Sequence, residues 1–203
     1  SIMRAGDKVR VYPVNPRYEE VLGMRCYASV RELPESPDLV AVIVPYDRVM
    51  AVLEESAQIG AGSAIVISAG FSERGDASRA QAQEEMRDFC RRTGLRVCGP
   101  NCLGVANVRT GVWATASTTS SDLKPSPVAL VSHSGATAFG PLMTRAMEIG
   151  LGFSHIVSTG NEVDLESSDF IGYLLEDPEV KVVACFIEGF KDGRKLLDVA
   201  RRA

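Results

Sequence analysis

The stretch "PVALVSHSGATAFGPLMTRAMEI", residues 127–149, passes from an apolar run through a turn of small residues into a helical pattern. Val128–Val131 is apolar at successive positions, as in a parallel strand covered on both faces. Ala136–Ile149 then carries apolar residues at helical spacing, with Gly135 supplying the turn. The same unit recurs along the chain. Strands are expected at Val9–Val14, Leu39–Val44, Ala64–Ser68, Leu95–Cys98, Pro127–Ser132, Phe153–Val157 and Val180–Ile187. Helices are expected at Asp47–Gln58, Ala77–Arg92, Ala136–Ile149, Ser167–Leu175 and Gly193–Arg202. Strand followed by helix, repeated, predicts an α/β fold built on doubly wound parallel sheets.

The bulk properties exclude several classes of function. With 203 residues and 45% hydrophobic content, the chain can bury one large core or two small ones. A net charge of −4 and 6% aromatic residues exclude a basic nucleic-acid stripe. The longest apolar runs are strand-sized, so no membrane span is expected. The five cysteines, Cys26, Cys90, Cys98, Cys102 and Cys185, are odd in number and irregular in spacing, which fits a reducing cytoplasm. Cys98 and Cys102 flank "GPN", but the chain has only two histidines, so no metal site is expected.

Residues 115–126, "TASTTSSDLKPS", read as a linker or exposed loop. A boundary there divides the chain into 1–120 and 121–203. The opening "SIMRAGDKVRVYPVN" reads as a last helical turn, a Gly6 stop and a strand. A first strand is therefore expected to be missing. The other end stops in or just after a helix, so the chain reads as a fragment of something longer.

Ligands of open α/β sheets bind outside the carboxyl ends of the strands. Four such ends in the first unit carry unusual residues: "VNPR" (14–17), "VPYD" (44–47), "SAGFSERG" (68–75) and "CGPNCLG" (98–104). Pro16, Pro45 and Pro100 lack an N–H and end their strands sharply. Gly70, Gly99 and Gly104 allow close approach of backbone to a ligand. Arg17 can pair with phosphate, and Asn101 offers both a donor and an acceptor. These loops are either the turns that any such unit needs or a groove with few charges, suited to a long, partly apolar ligand with polar ends.

The SHSG turn admits three readings. A G-x-S-x-G nucleophile elbow needs a glycine on each side, and "VSHSG" lacks the first. His133 could itself carry phosphate. Alternatively Ser134, Gly135 and Ala136 form an anion cradle at a helix N-terminus, with His133 as a neighbour. Glu188 follows the apolar strand "VVACFI" and sits at the same carboxyl edge, either as an ordinary loop acid or as a functional carboxylate. Asn161 and Glu162 lie at the preceding strand end and can help shape that pocket, whereas His155 falls inside a strand and reads as structural.

In "VYPVNPRYEEVLGMRCYASVRELPESPDLVAVIVP", "VISAGFSE", "CGPNCLG", "VALVSHSGA" and "GNEVDLESSDFIGYLLEDPEVKVVACFIEGFKDGRKLLDVAR", the chain resembles NDP-forming acyl-CoA synthetases. These are relatives of the succinyl-CoA synthetase α subunit. The resemblance covers nearly the whole chain, with the motifs in family order. It implies a Rossmann-like CoA-binding domain followed by a flavodoxin-like domain. Asn15, Pro16 and Arg17 would lie beside the adenosine end of coenzyme A, and Val44 and Pro45 would line the adenine pocket. Ser68, Ala69 and Gly70 would follow the pantetheine arm. Gly99, Pro100, Asn101 and Cys102 would stand near the thiol, with Cys102 a packed small residue. Glu188, as the acid of "IEG", would orient a phosphohistidine.

The same resemblance implies acyl-CoA, nucleoside diphosphate and phosphate exchanged for acid, CoA and nucleoside triphosphate. ATP or ADP and magnesium would bind outside this chain, on an ATP-grasp domain or subunit, in a cytoplasmic oligomer. Two family features are absent from the sequence: a Gly-rich phosphate loop after the first strand and the phosphohistidine motif downstream of "IEG". The rival readings are a CoA-sensing regulatory module, for example fused to an acetyltransferase, and an NAD(P)-linked oxidoreductase of Rossmann type.

Overall fold

The computed structural model describes residues 9–117 and 123–203. It opens on a short antiparallel ribbon of β1 (Glu20–Val21) and β2 (Met24–Arg25). The expected strand at Val9–Val14 is not formed. Val14 makes only an isolated bridge to Tyr27, and Pro13 has no N–H to give to a ladder.

A three-stranded parallel sheet follows, with β3 (Leu39–Val42), α1 (Tyr46–Gln58), β4 (Ser63–Val66), α2 (Ala77–Thr93) and β5 (Arg96–Cys98). Its strand order is β3-β4-β5. Side chains alternate across a strand, so neighbours in β4 serve different cores. Ala64 and Val66 join Val49 and Leu53 of α1 and Met86 and Phe89 of α2. Ile65 and Cys98 face the other way, against Cys102, Ala114, Leu165 and Phe170. One face is thus covered by both helices and the other by the following part of the chain.

That part is a five-stranded sheet of order β10-β8-β9-β6-β7. Its strands are β6 (Gly104–Asn107), β7 (Val112–Thr115), β8 (Val128–Ser132), β9 (His155–Ser158) and β10 (Val182–Phe186). β8, β9 and β10 run parallel, while the β6–β7 hairpin adds antiparallel to β9. Leu130 and Ile156 pack with Phe139 and Met143 on one face. Ala129, Val131 and Val157 pack with Ile171, Leu174 and Val199 on the other, under α5 (Ser167–Leu175) and α6 (Gly193–Arg202). This is the doubly wound α/β arrangement expected. The boundary expected between residues 120 and 121 lies outside the described residues, and the hairpin 104–115 hydrogen-bonds into the second sheet.

The helix expected at Ala136–Ile149 is interrupted. It comprises α3 (Gly135–Thr137), a wide π turn over Ala138–Leu142, and α4 (Met143–Glu148). Pro141 has no N–H, and Gly140 takes φ −105° and ψ −107°, so the backbone loosens there. His155 is buried in β9 with no partner for Nδ1, and burial, reinforced by Arg109, pushes its pKa down.

Candidate functional site

The carboxyl ends of β3, β4 and β5 share one edge, and three of the four expected loops meet there. Ser68 Oγ donates to Val44 O at 2.7 Å and accepts from Val44 N–H at 3.0 Å. Asn101 N–H donates to Ser68 O at 3.0 Å. Asn15–Arg17 is held separately, by Asn15 N–H to Tyr27 O and by Cys26 Sγ, and Arg17 N–H caps Asn15 Oδ1 at 3.0 Å. Among the described residues, none of the hydrogen bonds of Asn15–Arg17 runs to the other three loops.

The expected residues divide by exposure. Pro16, Arg17, Pro45, Ala69 and Asn101 are exposed, whereas Asn15, Val44 and Gly70 are half-buried. Ser68, Gly99, Pro100 and Cys102 are buried and shape the edge from beneath. Gly70 is already engaged: its N–H reaches Glu73 Oε1 at 2.5 Å, and its carbonyl accepts from Arg79, which stacks on Tyr46. Cys102 donates to Val66 O at 3.4 Å. The hydrogen bond to Cys102, with burial, pushes the Cys98 thiol well up, away from the thiolate form. The edge offers the polar side chain of Asn101 and the exposed guanidinium of Arg17. Ile43 stands 65% exposed just before Val44, and Tyr18 58% exposed just after Arg17. These residues fit a ligand with phosphates at one end and an apolar arm.

The second sheet brings its own strand ends to the same place. Backbone bonds Asn161 N–H to Pro100 O, Val163 N–H to Gly99 O and Leu165 N–H to Val97 O sew the two units together. Asn161 is the hub. Its Oδ1 accepts from Asn101 Nδ2 at 3.2 Å, and its Nδ2 donates to Glu73 at 2.6 Å and Gln83 at 2.8 Å. Burial alone would push the Glu73 carboxyl up, but the bonds from Gly70 and Asn161 outweigh it and hold it below its usual value. Neither Glu73 nor Gln83 stands out in the sequence: Glu73 is one polar residue of "SAGFSERG", and Gln83 is one of several polar positions along α2.

At the SHSG turn, Ser134 Oγ accepts from Thr137 N–H at 3.2 Å, and the first backbone bond is Ala138 N–H to Ser134 O at 3.0 Å. The N–H groups of Gly135 and Ala136 precede it and find no acceptor within the helix. A Cβ on Gly135 would lie 2.7 Å from both Leu103 and Ser158 Oγ, so only glycine lets the turn pack this closely. His133 is fixed at both ring nitrogens. Nε2 lies 2.9 Å from Glu162 Oε1, and Nδ1 accepts the Glu188 N–H at 3.0 Å. Glu188 therefore adjoins the turn, and its side chain is exposed. Among the described residues, no group of three or more His, Cys, Asp or Glu residues could hold a metal ion. No helix among them is long and apolar enough to cross a membrane.

Comparison with known proteins bears on these features. Residues 2–108 match the CoA binding domain model, and residues 125–203 match the succinyl-CoA ligase like flavodoxin domain. The ADP-forming acetate–CoA ligase II subunit alpha of Pyrococcus furiosus is 37% identical over 95% of this chain and 41% of its own length. The ADP-forming acetate–CoA ligase I of Archaeoglobus fulgidus is 39% identical over 94% of this chain and 27% of its own. A dinucleotide-forming acetyl-coenzyme A synthetase of Ca. Korarchaeum cryptofilum, solved with phosphate and ADP, superposes with a TM-score of 0.91 at 33% identity, covering 99% of this chain. This chain spans 42% of that structure, less than half of each of these relatives. The chain belongs to the NDP-forming acyl-CoA synthetase family, of which it carries the CoA binding domain and the succinyl-CoA ligase like flavodoxin domain.

Proposed function

We propose that this chain is the CoA-binding part of a cytoplasmic synthetase that interconverts acyl-CoA, nucleoside diphosphate and phosphate with acid, CoA and nucleoside triphosphate. The observation that carries the reading is the junction of Gly99–Asn101 with Asn161 and Val163, which sets the carboxyl ends of β5 and β9 side by side. A thioester laid along the first edge would end beside the SHSG turn. CoA supplies the thiol that attacks the activated acyl group. Arg17 would hold phosphate at the adenosine end, while Val44, Pro45 and Ala69 would border the ligand and Asn101 would meet its thiol end.

Ser134, Gly135 and Ala136 would hold phosphate oxygens with N–H groups and a hydroxyl at the start of α3. The carboxylate of Glu188 would accept the N–H of a phosphate-carrying imidazole delivered from outside this chain, fixing its tautomer and favouring its cationic form. ATP or ADP with magnesium would be bound by an ATP-grasp domain or subunit. The exposed Phe186 and Phe190, on either side of Glu188, suit such a contact.

Two expected outcomes test this reading. Arg17→Ala weakens CoA binding about tenfold in calorimetry, the worth of one exposed charge-assisted bond. It weakens dephospho-CoA less if Arg17 serves the 3′-phosphate, and equally if it serves the pyrophosphate. Unchanged binding of both ligands removes Arg17 from the site.

The second outcome concerns His133. Both of its ring nitrogens are spent on Glu162 and Glu188, so neither is free to attack a phosphoryl group. Incubation of this chain with a competent ATP-grasp partner, ATP and magnesium leaves His133 without acid-labile phosphate. Label on His133 that disappears in His133→Gln makes it the acceptor and overturns the cradle.

A further inference from the structure

Glu162 is an unusual residue by every local criterion. It is 4% exposed, and it sits at φ +56°, where an ordinary side chain is strained. Its Oε1 accepts from Ser167 N–H at 2.7 Å, from Ser167 Oγ at 2.5 Å and from the imidazole of His133 at 2.9 Å. Backbone strain and a buried carboxylate at one position persist only where the surroundings hold them. Here the surroundings are the start of α5 and the ring of His133.

The protonation pattern follows from the donors alone. The Glu188 amide can only donate, so Nδ1 of His133, 3.0 Å away, carries no proton. A neutral imidazole with a bare Nδ1 carries its proton on Nε2, and that proton points at the Glu162 carboxylate. The three groups form one chain: Glu162 fixes the ring as the Nε2–H tautomer, and the ring then offers Nδ1 to Glu188. Its second anchor is backbone, His133 N–H to Phe186 O at 3.0 Å, at the last residue of β10. The exit of β10 is therefore tied at residues 186 and 188 to His133.

We propose that Glu162 and His133 are positioning residues for Glu188, the tautomer set by Glu162 holding the Glu188 backbone where its carboxylate can meet an incoming imidazole. The assignment rests on the reading of Glu188 given above. It requires an acceptor at the Nδ1 position, not the volume of a ring, and this is what separates positioning from packing.

Nitrogen-15 NMR of this chain tests the tautomer directly: His133 is expected as Nε2–H, and a proton on Nδ1 overturns the proposal without any variant. Asparagine places its side-chain oxygen near the Nδ1 position, whereas phenylalanine keeps the ring and loses the acceptor. Exchange of the Glu188 amide should quicken roughly tenfold in His133→Phe, the loss of one hydrogen bond, and less in His133→Asn. The reverse order means that the ring only fills space. In the complete synthetase, His133→Phe should lower kcat while the KM for CoA stays within about twofold, with His133→Asn milder. Normal turnover of His133→Phe alongside an impaired Glu188→Gln overturns the positioning role. A silent Glu188→Gln instead overturns the reading of Glu188 on which that role depends.

Discussion

Glu188→Gln lowers the turnover of the complete synthetase by roughly a hundredfold or more, while CoA affinity stays within about twofold. The two shapes are nearly identical, so the backbone bond from residue 188 to His133 Nδ1 survives. What is lost is the negative charge. A neutral amide can still accept a hydrogen bond from an imidazole but does little to stabilise its cationic form. On the proposed function, the ring that carries phosphate would pass through that form as it gains or loses the group. Glu188 is exposed just past the end of β10, and its N–H is bonded to His133 of the SHSG turn. Steady-state kinetics in both directions, with calorimetry for CoA, check the separation of kcat from binding. A variant that loses affinity and keeps turnover would place Glu188 on the CoA edge and empty the proposed phosphate site.

The strand ends were legible from the sequence because they depend on local chemistry. An apolar run stopped by proline or glycine announces itself in "VPYD", "CGPNCLG" and "VALVSHSG", and the rule that ligands gather at carboxyl ends needs no tertiary knowledge. The features that were not legible are those in which two distant segments compete or cooperate. Val9–Val14 has strand composition, but Pro13 spoils the ladder and the chain pairs Val14 with Tyr27 alone. The helix after SHSG has the right periodicity, yet Pro141 opens a π turn within it. The hairpin 104–115 reads as ordinary connection until β9 offers it an edge. Glu162 and His133 stand 29 positions apart, and their pairing depends on a left-handed backbone at residue 162 that composition does not reveal. The position of Glu188 near His133 could be inferred from strand order, but its attachment through backbone, with Glu162 supplying the carboxylate, could not.

Gly160→Ala is expected to destabilise the chain by about 2–5 kcal/mol and to weaken CoA binding with it. Two costs add. Gly160 holds φ +63°, a region that costs an L-residue with a Cβ roughly 1–2 kcal/mol. The added Cβ would also overlap Pro100 O and lie 2.8 Å from the carbonyl carbon and oxygen of Asn101. These are backbone atoms of the "GPN" turn and cannot rotate away, so relief requires the junction to part, at an overpacking cost of about 1–3 kcal/mol. Gly150 provides the control. It holds φ +76° with nothing within 4 Å of its would-be Cβ, so Gly150→Ala carries the conformational part alone. Urea unfolding of the two variants isolates the contact as their difference. The loss of CoA affinity in Gly160→Ala follows because the displaced atoms are those that seat Asn101 at the edge, through Asn161 N–H to Pro100 O and Asn101 Nδ2 to Asn161. Gly150 lies at the end of α4, away from both edges, and its variant should bind CoA normally. Equal destabilisation of the two variants would mean that the loop at residue 160 yields without disturbing the "GPN" turn. The two sheets would then not be coupled at this junction, and the thioester end of the ligand would have to be placed elsewhere.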